Sequence, residues 1–293
     1  MSKSALLVGL AAVLFAGSAF AADAPEKKKK KKAAAPAPVV EQVSPFDFAF
    51  GASVKSRYVS RGISQSATNP AAAVYGEVRY NEIFYANVAY NTVKLPTKPS
   101  GEVDLSVGAR PVIGNLTTDI GAVYYWYPGA GIYVYPGATA VTSVPGSPNY
   151  FEGYIKPAYA VTDKITLGAN FYGSPSWGHT GATDIYTSAT FKVALPYDLA
   201  ISGEFGRQFL GSSKTYLGPV AYPDYNTWNA GITYTYKNAS LDLRYSGTDL
   251  SKTNCQIIAS DPKGATNGAK SKWCGNTFLA TLAVDFVYSE LKK

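Results

Sequence analysis

Apolar and polar residues alternate through most of the chain from residue 46 onward. In the last such segment Phe278, Ala280, Leu282, Val284, Phe286 and Tyr288 share one parity. Thr277, Thr281, Ala283 and Asp285 share the other, with Leu279 as the exception. A period of two is that of a β-strand with one apolar face. The first segment reads the same way, with Phe46, Phe48, Phe50, Ala52, Val54 and Tyr58 set against Asp47, Lys55 and Arg57. Twelve such segments are predicted, at about 46–60, 71–81, 83–94, 102–113, 115–127, 150–162, 164–174, 183–195, 197–208, 225–237, 239–249 and 276–289. An even count lets an antiparallel sheet close on itself with both ends of the chain on one side.

The connections keep a rhythm. Short ones fall at Asn81-Glu82, Gly114-Asn115, Thr162-Asp163, Pro196-Tyr197 and Lys237-Asn238, where turn-forming residues collect. Long ones run at about 61–70, 95–101, 128–149, 175–182, 209–224 and 250–275. Short turns at one end and long loops at the other describe a twelve-stranded antiparallel transmembrane β-barrel, with periplasmic turns and extracellular loops. Tyr58, Tyr124 to Tyr127, Trp228, Tyr234, Tyr236, Phe286 and Tyr288 lie near strand ends and suit aromatic girdles at the two bilayer interfaces.

The polar parity carries the candidate chemistry. Asp47, Lys55, Arg57, Glu77, Arg79, Asp104, Arg110, Asp119, Lys156, Glu204, Asp242, Arg244 and Asp285 all fall on it. Facing lipid, a charge would cost up to roughly 2–4 kcal/mol at the midplane, so these side chains are expected to line a lumen. Charges of both signs in a narrow passage bias which ions enter, though the same groups could pair and close it. The loop 128–149 is long and unusually apolar, which makes it a candidate constriction if it folds inward.

Composition and charge narrow the alternatives. The 27 Lys+Arg and 20 Asp+Glu give a net charge of +7, but Lys27–Lys32 supply six of the positive charges. From residue 46 onward the excess is only +3, which makes no case for nucleic acid. Residues 1–21 read as a signal peptide, with Lys3, the apolar run Ala5–Phe15 and a cleavage site at Ala19-Phe20-Ala21. Residues 22–45 read as a disordered periplasmic tail rich in Lys, Ala and Pro, and 46–293 as the barrel. The tail could touch cell-wall polymer. Cys255 and Cys274, in an exported chain, are expected to form a disulfide. No cofactor or metal is expected, because two Cys and one distant His do not complete a site. His179, the single histidine, lies in a glycine-rich loop, and nothing near it suggests an enzyme.

Several stretches resemble the TorF family, an uncharacterised bacterial family regarded as porin-like. They are SRYVSRGISQS at 56–66, IFYANVAYNT at 83–92, AVYYWYPG at 122–129, YIKPAYAVTDKITLGANFYGS at 154–174, LPYDLAISGEFG at 195–206 and DLRYSGTDL at 242–250. The resemblance implies an exported outer-membrane barrel, a porin with no established substrate. The leading reading of the chain is a porin in the outer membrane of a Gram-negative bacterium, passing small hydrophilic solutes or ions. Its partners would be outer-membrane lipid and lipopolysaccharide and the barrel-assembly machinery. A structural or adhesive barrel with a closed lumen and partner-binding loops is the competing reading.

Overall fold

The structure is a computed structural model that describes residues 44–131, 147–213 and 220–291. The expected signal peptide, nearly all of the expected tail, and the greater part of loop 128–149 lie outside the described residues. Fifteen strands follow in chain order: β1 (Phe46–Lys55), β2 (Val59–Ser60), β3 (Ile63–Ser64), β4 (Ala71–Tyr80), β5 (Phe84–Asn91), β6 (Glu102–Ala109), β7 (Val112–Ile113), β8 (Leu116–Trp126), β9 (Tyr150–Ala160), β10 (Ile165–Trp177), β11 (Ala182–Leu195), β12 (Leu199–Leu210), β13 (Tyr225–Tyr236), β14 (Ala239–Thr248) and β15 (Thr277–Val287). Three helices complete the set, α1 (Lys252–Ala259), α2 (Pro262–Thr266) and α3 (Tyr288–Leu291).

Thirteen of the strands form one antiparallel sheet, in which β7 is a two-residue spur on β8. Pairing of β6 with β8, and of β1 with both β4 and β15, closes the remaining strands into a ring of twelve. The twelve predicted segments are these twelve strands. Two boundaries differ by more than three residues. β1 ends at Lys55 rather than near residue 60, and the segment expected at 102–113 is broken after Ala109, its last residues pairing as β7.

Parity holds around the ring. Phe48, Phe50 and Val54 of β1 are exposed, while Ala49, Ser53 and Lys55 are buried. The register carries this alternation across strands, because directly paired residues face the same way. Val54 pairs with Leu282, and Leu282 with Leu241, all three on the outside. At two of the short turns both central residues adopt positive φ, Asn81 with Glu82 and Tyr197 with Asp198. That geometry matches the twist of the flanking strands. Beyond β15, Ser289 fixes the end of the ring by donating its backbone N–H and hydroxyl to the Asp47 carboxylate, at 3.0 and 2.7 Å.

The long connection 249–276 is built, not open. Ser251 caps α1 by accepting from the N–H of Asn254, and Asp261 caps α2 by accepting from that of Lys263. A disulfide joins Cys255 on α1 to Cys274, 19 positions away. Because this bridge lies wholly outside the ring, the double variant Cys255→Ser with Cys274→Ser should still give a closed barrel with a heat-modifiable gel shift. It should also be cut faster within 250–275 by added protease, since the loop loses roughly 3 kcal/mol of restraint. Failure to assemble would show that the bridge is needed to close the strands.

Candidate functional site in the lumen

The inner wall is mostly polar, with small apolar patches such as Ala49, Tyr75, Ala89 and Val287, and most of its charged groups fall into three clusters. The first lies near the short-turn end. Glu77 accepts from Arg79 at 2.6 Å and from both terminal nitrogens of Arg110 at 2.9 Å. Asp119 accepts from Lys156 at 2.9 Å and from the Tyr85 hydroxyl at 2.7 Å. The hydroxyls of Tyr85 and Tyr154 meet each other over Gly108 and Gly121, which pair across β6 and β8. A Cβ on either glycine would lie 2.6 Å from one of these hydroxyl oxygens, so the absence of side chains there is what lets both rings lie flat on the wall. Arg110 stacks on Tyr85, 3.7 Å from its centroid.

The second cluster lies on β12 to β14. Arg244 donates to both Asp242 oxygens, to Asn229 at 2.6 Å and to Ser202 at 2.8 Å. Glu204 accepts from Asn170, Tyr186 and Asn229. Asp285 stands apart and accepts from Tyr75 at 3.0 Å.

The third cluster is at the long-loop end, and it is the one that crosses the lumen. After Lys55 the chain leaves the wall and turns inward. β2 and β3 form a hairpin whose two-residue turn is Arg61-Gly62, both at positive φ. Gly62 is fixed twice over, by its φ of 77° and by the wall, since a Cβ would lie 2.2 Å from the Thr248 methyl. At the tip, Arg61 donates to Glu152 on β9 at 2.9 Å, and to Asp184 on β11 at 3.0 Å and Gln208 on β12 at 3.2 Å. Its guanidinium lies 4.9 Å from the Tyr172 ring and 4.8 Å from that of Tyr186. Tyr225 donates to the Arg61 carbonyl at 3.1 Å. The segment 56–70 is therefore a strap, rooted between β1 and β4 and pinned to β9, β11, β12 and β13.

The strap is held along its length as well as at its tip. Tyr58 donates to Glu102 at 2.6 Å, and the Ser64 N–H donates to the Trp273 carbonyl at 2.8 Å. Ile63 packs with Tyr225 and with Ile258 of α1 in a small apolar cluster. The helical connection 249–276 thus covers the strap from outside. Burial alone would lower the Arg61 pKa, but Glu152 and Asp184 reverse this and hold it well above its usual range. Burial, reinforced by Glu102, pushes the Tyr58 hydroxyl up, so it remains a donor.

The residues chosen from parity divide accordingly. Glu77, Arg79, Arg110, Asp119 and Lys156 come together, as do Glu204, Asp242 and Arg244. Lys55 and Asp104 belong to the strap level. Arg57 lies beyond the end of β1, partly buried at the rim, and forms no ion pair among the described residues. Three of the expected girdle residues point inward instead: Tyr58 and Tyr127 donate to Glu102, and Tyr125 donates to Glu152. Four consecutive aromatics on one strand cannot share a face, so every second ring turns into the lumen. Tyr124 and Trp126 remain outside. Parity selection passed over Arg61, Glu102, Glu152, Asp184 and Gln208.

Among solved structures the chain is similar to the NanC porin (TM-score 0.47, 9% identity, covering 81% of this chain and 98% of that one). It is also similar to the KdgM porin (0.47, 8%, 82% and 99%) and to OmpT of Vibrio cholerae (0.40, 11%, 82% and 97%). No curated protein matches the chain. A family model described as a bacterial protein of unknown function, Gcw_chp, matches residues 40–274, and with most of the barrel inside that match, strap included, the chain belongs to the Gcw_chp family.

Proposed function

We propose that this chain is a porin of the outer membrane of a Gram-negative bacterium, allowing passive diffusion of small hydrophilic solutes or ions. A porin with no established substrate is also what its resemblance to the TorF family implies. The observation that carries the reading is the contrast between the two faces of a closed ring. The outer face is an apolar belt suited to lipid, while the inner face carries buried charged and polar side chains at every level, with the strap 56–70 narrowing it at the long-loop end. Away from the strap, the charged groups of the wall pair with neighbours along the wall, which leaves the axis there to solvent. The strap then sets the narrowest section and so the size limit. Proteoliposomes carrying the full chain should swell in small sugars, and the rate should fall steeply with solute size. Absence of swelling with a heat-modifiable, folded barrel would reject passive diffusion.

One observation favours the competing reading of a closed, structural or adhesive barrel. The strap and the disulfide-bonded helical connection pack against each other over the mouth. If that cover is complete, the long loops face partners and the lumen carries nothing. The swelling assay separates these readings.

A further inference from the structure

Taking the porin reading as its basis, we infer that the strap level of the lumen is a cation-coordinating layer, formed by Glu102, Asp104, Glu152 and Asp184 with Asn91, and that it selects small cations over anions. Four carboxylates wall this level, each more than nine-tenths buried. Two cationic side chains lie among them, Lys55 at 4.6 Å from the Tyr58 ring and Arg61 at the strap tip. Arg57 stands farther out, at the rim. The remaining partners of the carboxylates are neutral donors. Glu102 accepts from Tyr58 and Tyr127, at 2.6 and 2.8 Å. Glu152 accepts from Tyr125 at 3.0 Å, and Asp184 from Gln208. Hydroxyls and amides stabilise a carboxylate without cancelling its charge.

A second observation points to what is missing. The Asn91 amide nitrogen is spent on Asp104 at 3.0 Å and Glu102 at 3.4 Å, while its oxygen has no partner. Asp104 Oδ1, Glu152 Oε1 and, on the next row of β6, Ser106 Oγ are likewise buried and unpartnered. Asn91 Oδ1, Asp104 Oδ1 and Glu152 Oε1 are pure acceptors. The unmet demand at this level is therefore for positive charge or donors, and buried charges without partners are costly. In the cluster near the short-turn end no carboxylate oxygen is left over: Arg79 Nη2, a donor, is unpartnered, Arg110 Nε faces Asp119 at 3.5 Å, and Asn87, beside Glu77, leaves both its amide atoms unpartnered. Rings of acidic side chains are a recognised route to cation preference. Oxygen donors of this kind suit alkali or ammonium ions, whose shells they can replace in part.

The test is the reversal potential of the full-length barrel in a planar bilayer under a KCl gradient. The wild type should reverse on the side that marks preference for K+. Asp104→Asn, with nearly the same shape, should shift the potential toward zero, and Asp163→Asn, on an exposed turn at the other end, should leave it in place. A wild-type potential near zero, or of the sign for Cl− preference, would overturn the cation layer while the conductance itself upheld the porin reading. Folded barrels that pass no current would reject both.

Discussion

Replacing Arg61 with Ala is expected to raise single-channel conductance clearly while the barrel remains assembled. Arg61 joins the strap to Glu152, Asp184 and Gln208 on the far wall. Removing one partner of a buried ion pair costs about 3–5 kcal/mol if the other charge stays buried. Here the structure has an escape. With the tip released, the strap can swing out and water can reach both carboxylates, so the loss falls on strap docking and not on strand pairing. Arg61→Lys should be intermediate, because an ammonium cannot span two carboxylates and a glutamine as a fork does. Heat-modifiable gel mobility checks assembly, and planar-bilayer recording checks the conductance. An assembled Arg61→Ala barrel with unchanged conductance would remove the strap from the conduction path.

Leu282→Arg should destabilise the barrel by about 2–4 kcal/mol, whereas Ala283→Arg should mainly change its conductance. Leu282 is the middle residue of β15, 52% exposed, with Val54 and Leu241 beside it on the outer face. A charge there must enter hydrocarbon or drag water with it. Ala283 pairs with Ser53 and Ser240 on the inner face, where a guanidinium finds other polar groups. Denaturant unfolding in lipid, followed by tryptophan fluorescence, gives both stabilities. Equal losses would mean that the two faces are assigned the wrong way round or that neither meets lipid.

The ring was legible in the sequence because each strand turns large apolar side chains outward on one face and mostly polar, small or tyrosine side chains inward on the other. Period-two alternation therefore survives in every strand, and turn residues mark the short connections. The strap was not legible for a related reason. Its hairpin has strands of two residues each, too short to show any period, and the parity of β1 continues by accident through Arg57 and Tyr58. That continuation made Tyr58 look like a girdle residue, although it is buried against Glu102. Loop 128–149 drew attention by its apolar composition, while the described crossing of the lumen is made by 56–70, where one arginine and one glycine at a turn carry the geometry. Glu102, Glu152 and Asp184 were within reach. They lie on the polar parity of β6, β9 and β11, the same parity as the chosen Asp104 and Lys156. The pairing of charges into clusters depends on register between strands, which alternation along one strand does not contain.

The measurement that bears most directly on the central claim is single-channel recording of the purified full-length chain in planar bilayers. The account predicts discrete, stable steps of small conductance from folded, heat-modifiable protein. Folded protein that inserts and yields no steps would contradict it.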